Sequence, residues 1–122
     1  MARFVLYNRN PDGERESDCV TRAISFALDE DYSKIRKKLH HSARLNGCDK
    51  LCVCCYRLLL ESVFGLQAVN CRNMTINDFA DLNPTGTYIL RIDGHLTCLK
   101  NGTVYDIWDC RNEELTDAWF VR

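Results

Sequence analysis

Cys19 is the residue of this chain whose position most favours chemistry. It follows a polar loop and lies in the first turn of a helix predicted to begin at Ser17 or Asp18, either of which can be the N-cap. Free N–H groups and the helix dipole at such a position favour a thiolate, and the same N–H groups can stabilise an oxyanion. The neighbouring Asp18 carboxylate opposes the thiolate unless it turns away to cap the helix. Position alone is equally compatible with a small buried cysteine.

A cysteine nucleophile needs a base, and the chain has three histidines. His40 and His41 lie among the basic residues of a predicted helix, where solvation is expected. His95 directly follows Gly94 at the start of a predicted strand. A single histidine at a strand start is more often structural than catalytic, so the neighbours of His95 decide how it is interpreted.

Those neighbours follow from the dipeptide Asn101-Gly102, which predicts a two-residue hairpin because a type I′ turn needs positive φ at both central residues. In that register His95 lies opposite Trp108, and Asp106 is its diagonal neighbour on the same face. Asp106 can therefore orient the imidazole, and Trp108 can shield the contact from water. A one-residue bulge would bring Asp109 to this face instead, so Asp106 is the preferred acid and Asp109 the alternative.

The pattern predicts helices first and strands afterwards, apart from one early strand. Predicted helices begin at Ser17 or Asp18 and run to Leu28, and then cover 32–45, 50–64 and a short turn over 76–82. Predicted strands cover 3–8, 87–92, 95–100, 103–108 and a final edge strand at 118–121, with a weak strand at 66–70. This order predicts an α+β fold in which N-terminal helices pack on a C-terminal antiparallel sheet. A length of 122 residues fits a single domain over 1–122.

Composition argues against several classes of partner. The net charge of −1 indicates neither a nucleic-acid partner nor a membrane surface, and the basic run from Lys34 to Arg44 is most simply a solvated helix face. Residues 1–10 hold too short an apolar run for a leader or a membrane helix, which predicts a cytoplasmic protein. The eight cysteines are interpreted as free thiols of a reducing compartment, and no cofactor is predicted.

Four of these cysteines suggest one alternative. Cys48, Cys52 and Cys55 are spaced along one face of the predicted third helix, and Cys71 could complete four ligands for zinc. Three ligands along one helix converge poorly on a tetrahedral ion. Packing of these thiols into the core is therefore favoured over a zinc-stabilised interaction domain.

The order of these features resembles the papain-like cysteine peptidase superfamily: a cysteine at a helix start, a Gly-His pair opening a strand, and an acid on the next strand. The segments 18–24 and 94–106 are also similar to small uncharacterised papain-like proteins common in phages and prophages. The resemblance extends from about Asn8 to Trp119. Its single motifs are short, so their order and spacing carry it.

The resemblance implies a role for each matching residue. Cys19 would attack a carbonyl, His95 would move protons, and an acid would orient His95. Papain-like peptidases usually place a Gln a few residues before the cysteine to complete the oxyanion hole, and this loop has none. Asn8 and Asn10 are the amide donors expected to replace it.

Arg22 also matches the motif and is expected to pair with a carboxylate such as Asp18. The resulting prediction is a cysteine-dependent acyl-transfer enzyme, a peptidase or isopeptidase acting on a protein or peptide. Amidase, deamidase and transglutaminase chemistry would use the same parts. The alternative is a non-catalytic papain-like binding module of phage origin that acts on a host protein.

Overall fold

The computed structural model describes residues 1–14, 17–47 and 52–122 and has a mixed α+β fold. The strands and helices, in chain order, are β1 (Arg3–Leu6), α1 (Cys19–Leu28), α2 (Tyr32–Asn46), α3 (Val53–Leu58), β2 (Gln67–Ala68), α4 (Ile76–Leu82), β3 (Thr87–Ile92), β4 (His95–Lys100), β5 (Thr103–Asp106) and β6 (Leu115–Phe120). A π-helical turn, Leu59–Val63, continues α3. No helix within the described ranges is both long and apolar enough to cross a membrane.

The strands form one sheet in the order β1-β5-β4-β3-β6-β2. Every pairing is antiparallel except that of β1 with β5, which is parallel. The prediction of a C-terminal, antiparallel sheet was therefore wrong in two respects. The sheet includes the early strand β1, and β1 pairs with β5 in parallel. The edge strand expected at 118–121 was also wrong, because β6 begins at Leu115 and lies between β3 and β2. Strand order depends on pairing between distant segments, which local patterns do not contain.

Two tight hairpins set the register of β4. At its far end Lys100 pairs with Thr103 around Asn101 (φ 49°) and Gly102 (φ 76°), which confirms the predicted hairpin. At its near end Ile92 pairs with His95, and Gly94 has a φ of 70°, a conformation that favours glycine. Both turns are local, so the sequence alone determines which residues face one another across β4 and β5.

Apolar side chains bury both faces of the sheet, as the two-residue period of a strand requires. On one face α1, α2 and α3 pack over Ile89, Leu96, Cys98 and Trp119. On the other face α4 packs over Leu90, Ile92, Leu99 and Val104. The buried stripe of α1, which includes Val20, Ala23, Ile24 and Ala27, belongs to the first of these cores. This packing fixes the first turn of α1 beside the start of β4.

The π-helical turn changes which residues of the third helix are buried. Phe64 N donates to the Leu59 carbonyl at 3.0 Å, so the hydrogen bond closes one residue later than in an α-helix. Leu60 is fully buried as a result, whereas Val63, which a regular helix over 50–64 would place on the apolar face with Tyr56 and Leu59, is 63% exposed. The predicted start of this helix, at residue 50, lies outside the described residues.

Candidate active site

Cys19 is the first residue of α1 and lines a cleft of about 480 Å³. Two groups from the start of β4 lie close enough to lower the pKa of its thiol: the His95 side chain and the Leu96 backbone N–H. Both contacts follow from the packing of α1 across β4, which brings the helix start to the strand start. The thiol is therefore held in one position beside a titratable base.

His95 and Asp106 form the next contact of the site. His95 Nε2 lies 2.6 Å from Asp106 Oδ2, and the two side chains are 12% and 2% exposed. Since Nε2 faces Asp106, Nδ1 is the ring nitrogen left for Cys19. The thiol is thus a neighbour of the imidazole, and the imidazole of the carboxylate, the order of a nucleophile, a base and an orienting acid.

The two partners shift each other's pKa values in opposite directions. Burial by itself raises the pKa of Cys19, but the hydrogen bonds from His95 and Leu96 and the charges of His95 and Arg22 outweigh it, so the pKa of Cys19 is below its ordinary value. Burial by itself lowers the pKa of His95, but the contacts with Asp106 and Cys19 raise it to about 9. These shifts favour a Cys19 thiolate beside a His95 imidazolium.

The two candidate acids have different surroundings. Asp106 is buried against His95, and its pKa is lowered despite burial by the hydrogen bond and charge of His95. Asp109 lies at the surface, where Arg111 Nη2 is 2.7 Å from its Oδ2. The structure thus places Asp106, the preferred acid, beside His95, and Asp109 with Arg111.

Trp108 packs against the imidazole of His95. The ring centroids are 5.1 Å apart and the rings cross at 74°. The indole stays 44% exposed, so it lies between the imidazole and solvent as a partial cover. Edge-to-face contacts of this kind add about 0.5–1.5 kcal/mol beyond area burial.

Arg22 connects the helix start to the acid. Its Nε donates to Asp18 Oδ1 at 2.7 Å, and its Nη1 donates to Asp106 Oδ1 at 3.1 Å. The second oxygen of Asp18 accepts from Tyr32 Oη at 2.7 Å and from Asn10 Nδ2 at 3.1 Å. All five residues are buried. Arg22 holds one oxygen of Asp106 while the other faces His95, so it fixes the carboxylate in both position and charge.

Asp18 occupies the N-cap position of α1 but makes no capping hydrogen bond with its side chain. Its carboxylate turns inward to Arg22 and Tyr32, which lowers its pKa in spite of burial. The Asp18 side chain therefore does not cap the helix, the condition considered for a small effect on the thiolate, and is held by Arg22 instead. Because the cap residue supplies no side-chain acceptor, backbone N–H groups of the first turn, including that of Cys19, are suited to bind an oxyanion.

The side-chain amides of Asn8 and Asn10 are hydrogen-bonded to other residues of the protein. Asn8 Nδ2 donates to the Glu14 carbonyl at 2.8 Å, and Asn8 Oδ1 accepts from Asn10 N at 3.0 Å. Asn10 Nδ2 faces Asp18 and Tyr32. Neither asparagine lines the cleft. The expected replacement of the missing Gln was thus wrong, because both amides hold the loop that precedes α1.

The four cysteines considered for zinc do not meet among the described residues. Cys55 is buried beneath the helices on one face of the sheet, and Cys71 belongs to the core on the opposite face. Cys52 Sγ lies 2.8 Å from Cys54 Sγ at the surface. Cys48 lies outside the described residues.

One other set of metal-binding side chains occurs in the described residues: ligand atoms of His95, Asp106 and Cys110 lie within 4.8 Å of one another. Their chemistry does not suit a cation. Burial raises the pKa of the Cys110 thiol to about 12, and the Arg22 guanidinium already contacts Asp106. The positive charge of Arg22 therefore already neutralises the Asp106 carboxylate. The position of Asp106 is better explained by its contact with the His95 imidazole than by a metal ion.

Sequence reasoning missed the opposite wall of the cleft, which is formed by Tyr56 of α3 and Arg91 of β3. One signal was present. Arg91 is the only charged residue of the strand Thr87–Ile92, whose other side chains are buried. A charge in the interior of an apolar strand often marks a group that faces a cleft.

Comparisons of the chain with protein-family models, with curated proteins and with solved structures found no match. What the site can do is therefore inferred from its own geometry.

Proposed function

We propose that this protein is a papain-like cysteine-dependent acyl-transfer enzyme, with Cys19 as nucleophile, His95 as base and Asp106 as orienting acid. The observation that carries the proposal is the Asp106–His95 contact of 2.6 Å beside a thiol whose pKa is lowered. A buried histidine oriented by a buried carboxylate can act as the base for a thiol at a helix start. The resemblance to papain-like peptidases suggests a peptide or isopeptide bond as the substrate group.

The geometry supports a two-step reaction. His95 takes the Cys19 proton, and the thiolate attacks the carbonyl carbon to form a C–S bond. Backbone N–H groups at the start of α1 stabilise the oxyanion. The C–N bond then breaks as His95 gives its proton to the leaving amine. In the second step His95 removes a proton from water as the water oxygen attacks the thioester carbonyl carbon. The C–S bond then breaks, the carboxylic acid leaves, and His95 returns the proton to the Cys19 sulfur.

The test is the pH dependence of iodoacetamide alkylation at each cysteine, followed by mass spectrometry. Cys19 is expected to react rapidly near pH 6 because a thiolate persists there. Cys98 and Cys110 are the internal references, since burial raises the pKa of each to about 12. His95→Ala should slow Cys19 alkylation at pH 6 by about 100-fold, whereas His41→Ala, which removes a histidine of α2, should leave it unchanged.

The acid is tested with a matched pair of variants. Asp106→Asn should shift the alkylation profile of Cys19 to higher pH, because the imidazolium loses its charged partner. Asp109→Asn should not change the profile, because Asp109 pairs with Arg111. If Cys19 behaves in all of these proteins as an ordinary thiol with a pKa of about 8.5, the enzyme proposal is wrong. A non-catalytic binding module of phage origin would then be the better account.

A further inference from the structure

The wall of the cleft that faces Cys19 carries a cation. Arg91 lies in β3 directly opposite Leu96 of β4, and the Leu96 backbone N–H, together with the His95 side chain, lowers the pKa of the Cys19 thiol. Tyr56, from α3, lines the same wall, and burial, with a smaller effect of a negative charge on Cys19, raises the pKa of its phenol. Arg91 and the Cys19 thiol therefore line one cleft, and the strand that carries Arg91 is the direct neighbour of the strand start beside the thiol.

Arg91 keeps donors for a ligand. Its Nη1 donates to Asp117 Oδ2 at 2.8 Å and to Thr116 Oγ1 at 3.1 Å, and Asp117 and Tyr56 raise its pKa. A guanidinium carries five N–H donors, so donors remain for a ligand beside these contacts. The side chain is held by its partners on β6 and is about one-quarter exposed. It is thus a fixed donor rather than a freely moving surface arginine.

The charge of Arg91 is only half neutralised. Asp117 is shared with Arg57 of α3, whose Nη2 lies 2.8 Å from Asp117 Oδ1. Two guanidinium groups therefore face one carboxylate, with a surplus of one positive charge. Among the described residues that line the cleft, none is aspartate or glutamate. The surplus charge has no anionic partner on this wall.

The other arginine of the cleft is already neutralised. Arg22 contacts both Asp18 and Asp106, and all three are buried. An incoming anion would find no surplus positive charge there. Of the two arginines that line the cleft, Arg91 is therefore the one that can bind an anionic group.

We propose that Arg91 binds an acidic side chain of the peptide substrate, so that the enzyme prefers an aspartate or glutamate near the bond that Cys19 attacks. This inference rests on the proposed function, because it assigns the substrate class of the same cleft. A charge-assisted hydrogen bond to a fixed guanidinium supplies the preference, and Tyr56 and Trp108 provide apolar surface for the rest of the peptide.

The test uses short peptidyl chloromethyl ketones as probes, in pairs that differ only by Glu or Gln at one position, with that position moved stepwise away from the electrophile. The rate of Cys19 modification is measured by mass spectrometry for each pair. At one position the Glu probe should react about tenfold faster than the Gln probe, a difference of about 1.4 kcal/mol. The ratio should fall to about 1 in Arg91→Gln and be partly kept in Arg91→Lys.

Arg57→Gln is the matched control. Like Arg91→Gln, it removes one of the two guanidinium groups that contact Asp117, but Arg57 does not line the cleft. In each single variant Asp117 keeps one arginine partner, so neither variant leaves an unpaired carboxylate. The Glu/Gln ratio should survive in Arg57→Gln. Thermal unfolding of both variants shows whether either loses structure.

Three outcomes would overturn the inference, and they differ in what else they overturn. If Cys19 is activated toward iodoacetamide but no position gives a Glu/Gln ratio above 1, Arg91 does not select acidic substrates and the enzyme proposal stands. If the ratio is high and unchanged in Arg91→Gln, or is lost equally in Arg57→Gln, the preference arises elsewhere. If Cys19 is not activated at all, the proposed function fails and this inference fails with it.

Discussion

The helices α1 and α4 begin in opposite ways. At the start of α4, Thr75 Oγ1 accepts from Asp78 N and Asp78 Oδ2 accepts from Thr75 N, each at 3.1 Å, a complete capping box. At the start of α1 the cap residue Asp18 gives its carboxylate to Arg22 and Tyr32 instead. Helix α4 thus satisfies backbone N–H donors of its first turn with its own side chains, which stabilises it. Helix α1 has no such side-chain acceptor for the N–H groups of its first turn, and a buried charge network holds its cap residue instead.

The largest expected effect comes from breaking that network at Arg22. Arg22→Met removes the cation between two buried carboxylates and should cost about 3–5 kcal/mol of unfolding free energy at pH 7. The loss should shrink as the pH falls toward 4, because protonated carboxyl groups no longer need the cation. Urea unfolding at both pH values measures it.

Lys34→Met is the matched control, since Lys34 and Glu30 form an ion pair with the same i,i+4 spacing at the surface, 3.4 Å apart. It should change stability by less than about 0.5 kcal/mol. Equal losses in the two variants would mean that the buried network does no more than a surface pair, and the contrast between the helix starts would lose its basis.

A smaller effect is expected in how Cys19→Ala depends on pH. Protonated His95 stabilises the fold fully below its ordinary pKa of 6.5, and this stabilisation is lost as the pH rises through about 9. The lowered pKa of Cys19 has the opposite sign: its stabilisation is present above the ordinary value and lost as the pH falls. In the wild type the two changes oppose each other, because folding favours loss of a proton from Cys19 and its retention on His95.

Cys19→Ala removes one side of that balance. Asp106 still raises the pKa of His95, so the variant should lose up to about 1.4 kcal/mol of stability per pH unit above pH 6.5, until His95 deprotonates. The wild type should lose less over the same range, because the Cys19 thiolate offsets part of the change. Chemical unfolding between pH 6 and 9 compares them. Parallel curves would show that no proton moves from Cys19 to His95.

The smallest effect belongs to α4. Thr75→Ala removes one half of the capping box and should cost about 1 kcal/mol of unfolding free energy. It should leave the rate of Cys19 alkylation unchanged, because α4 packs on the opposite face of the sheet. A slower Cys19 in this variant would mean that the two helix starts are coupled, contrary to the comparison.

What could be predicted from the sequence was local. The Asn101-Gly102 turn fixes the β4–β5 register through its own backbone requirement, so the neighbourhood of His95 and Asp106 followed without knowledge of the rest of the fold. Helix α1 and its first residue followed from apolar spacing in the same way. These features need only residues that are close along the chain.

What could not be predicted depends on partners far away. Asn10 was expected to donate to an oxyanion, but in the fold its amide lies beside Tyr32 and Asp18. Val63 was assigned to the buried face because a regular helix was assumed, and one wider turn rotates it outward. The Arg91 wall required the order of β3, β4 and β6, which arises from pairings between separate segments.

The parallel pairing of β1 with β5 has a consequence for when the site exists. Tyr7 N donates to the Asp106 carbonyl at 2.9 Å, and Leu6 pairs with Asp106, so the first strand of the chain braces the backbone of the acid. During synthesis, residues 3–6 are made about a hundred residues before their partner strand β5. The nascent chain therefore carries Cys19 and His95 before Asp106 is made, and the backbone of Asp106 is held in place only after β1 and β5 have paired.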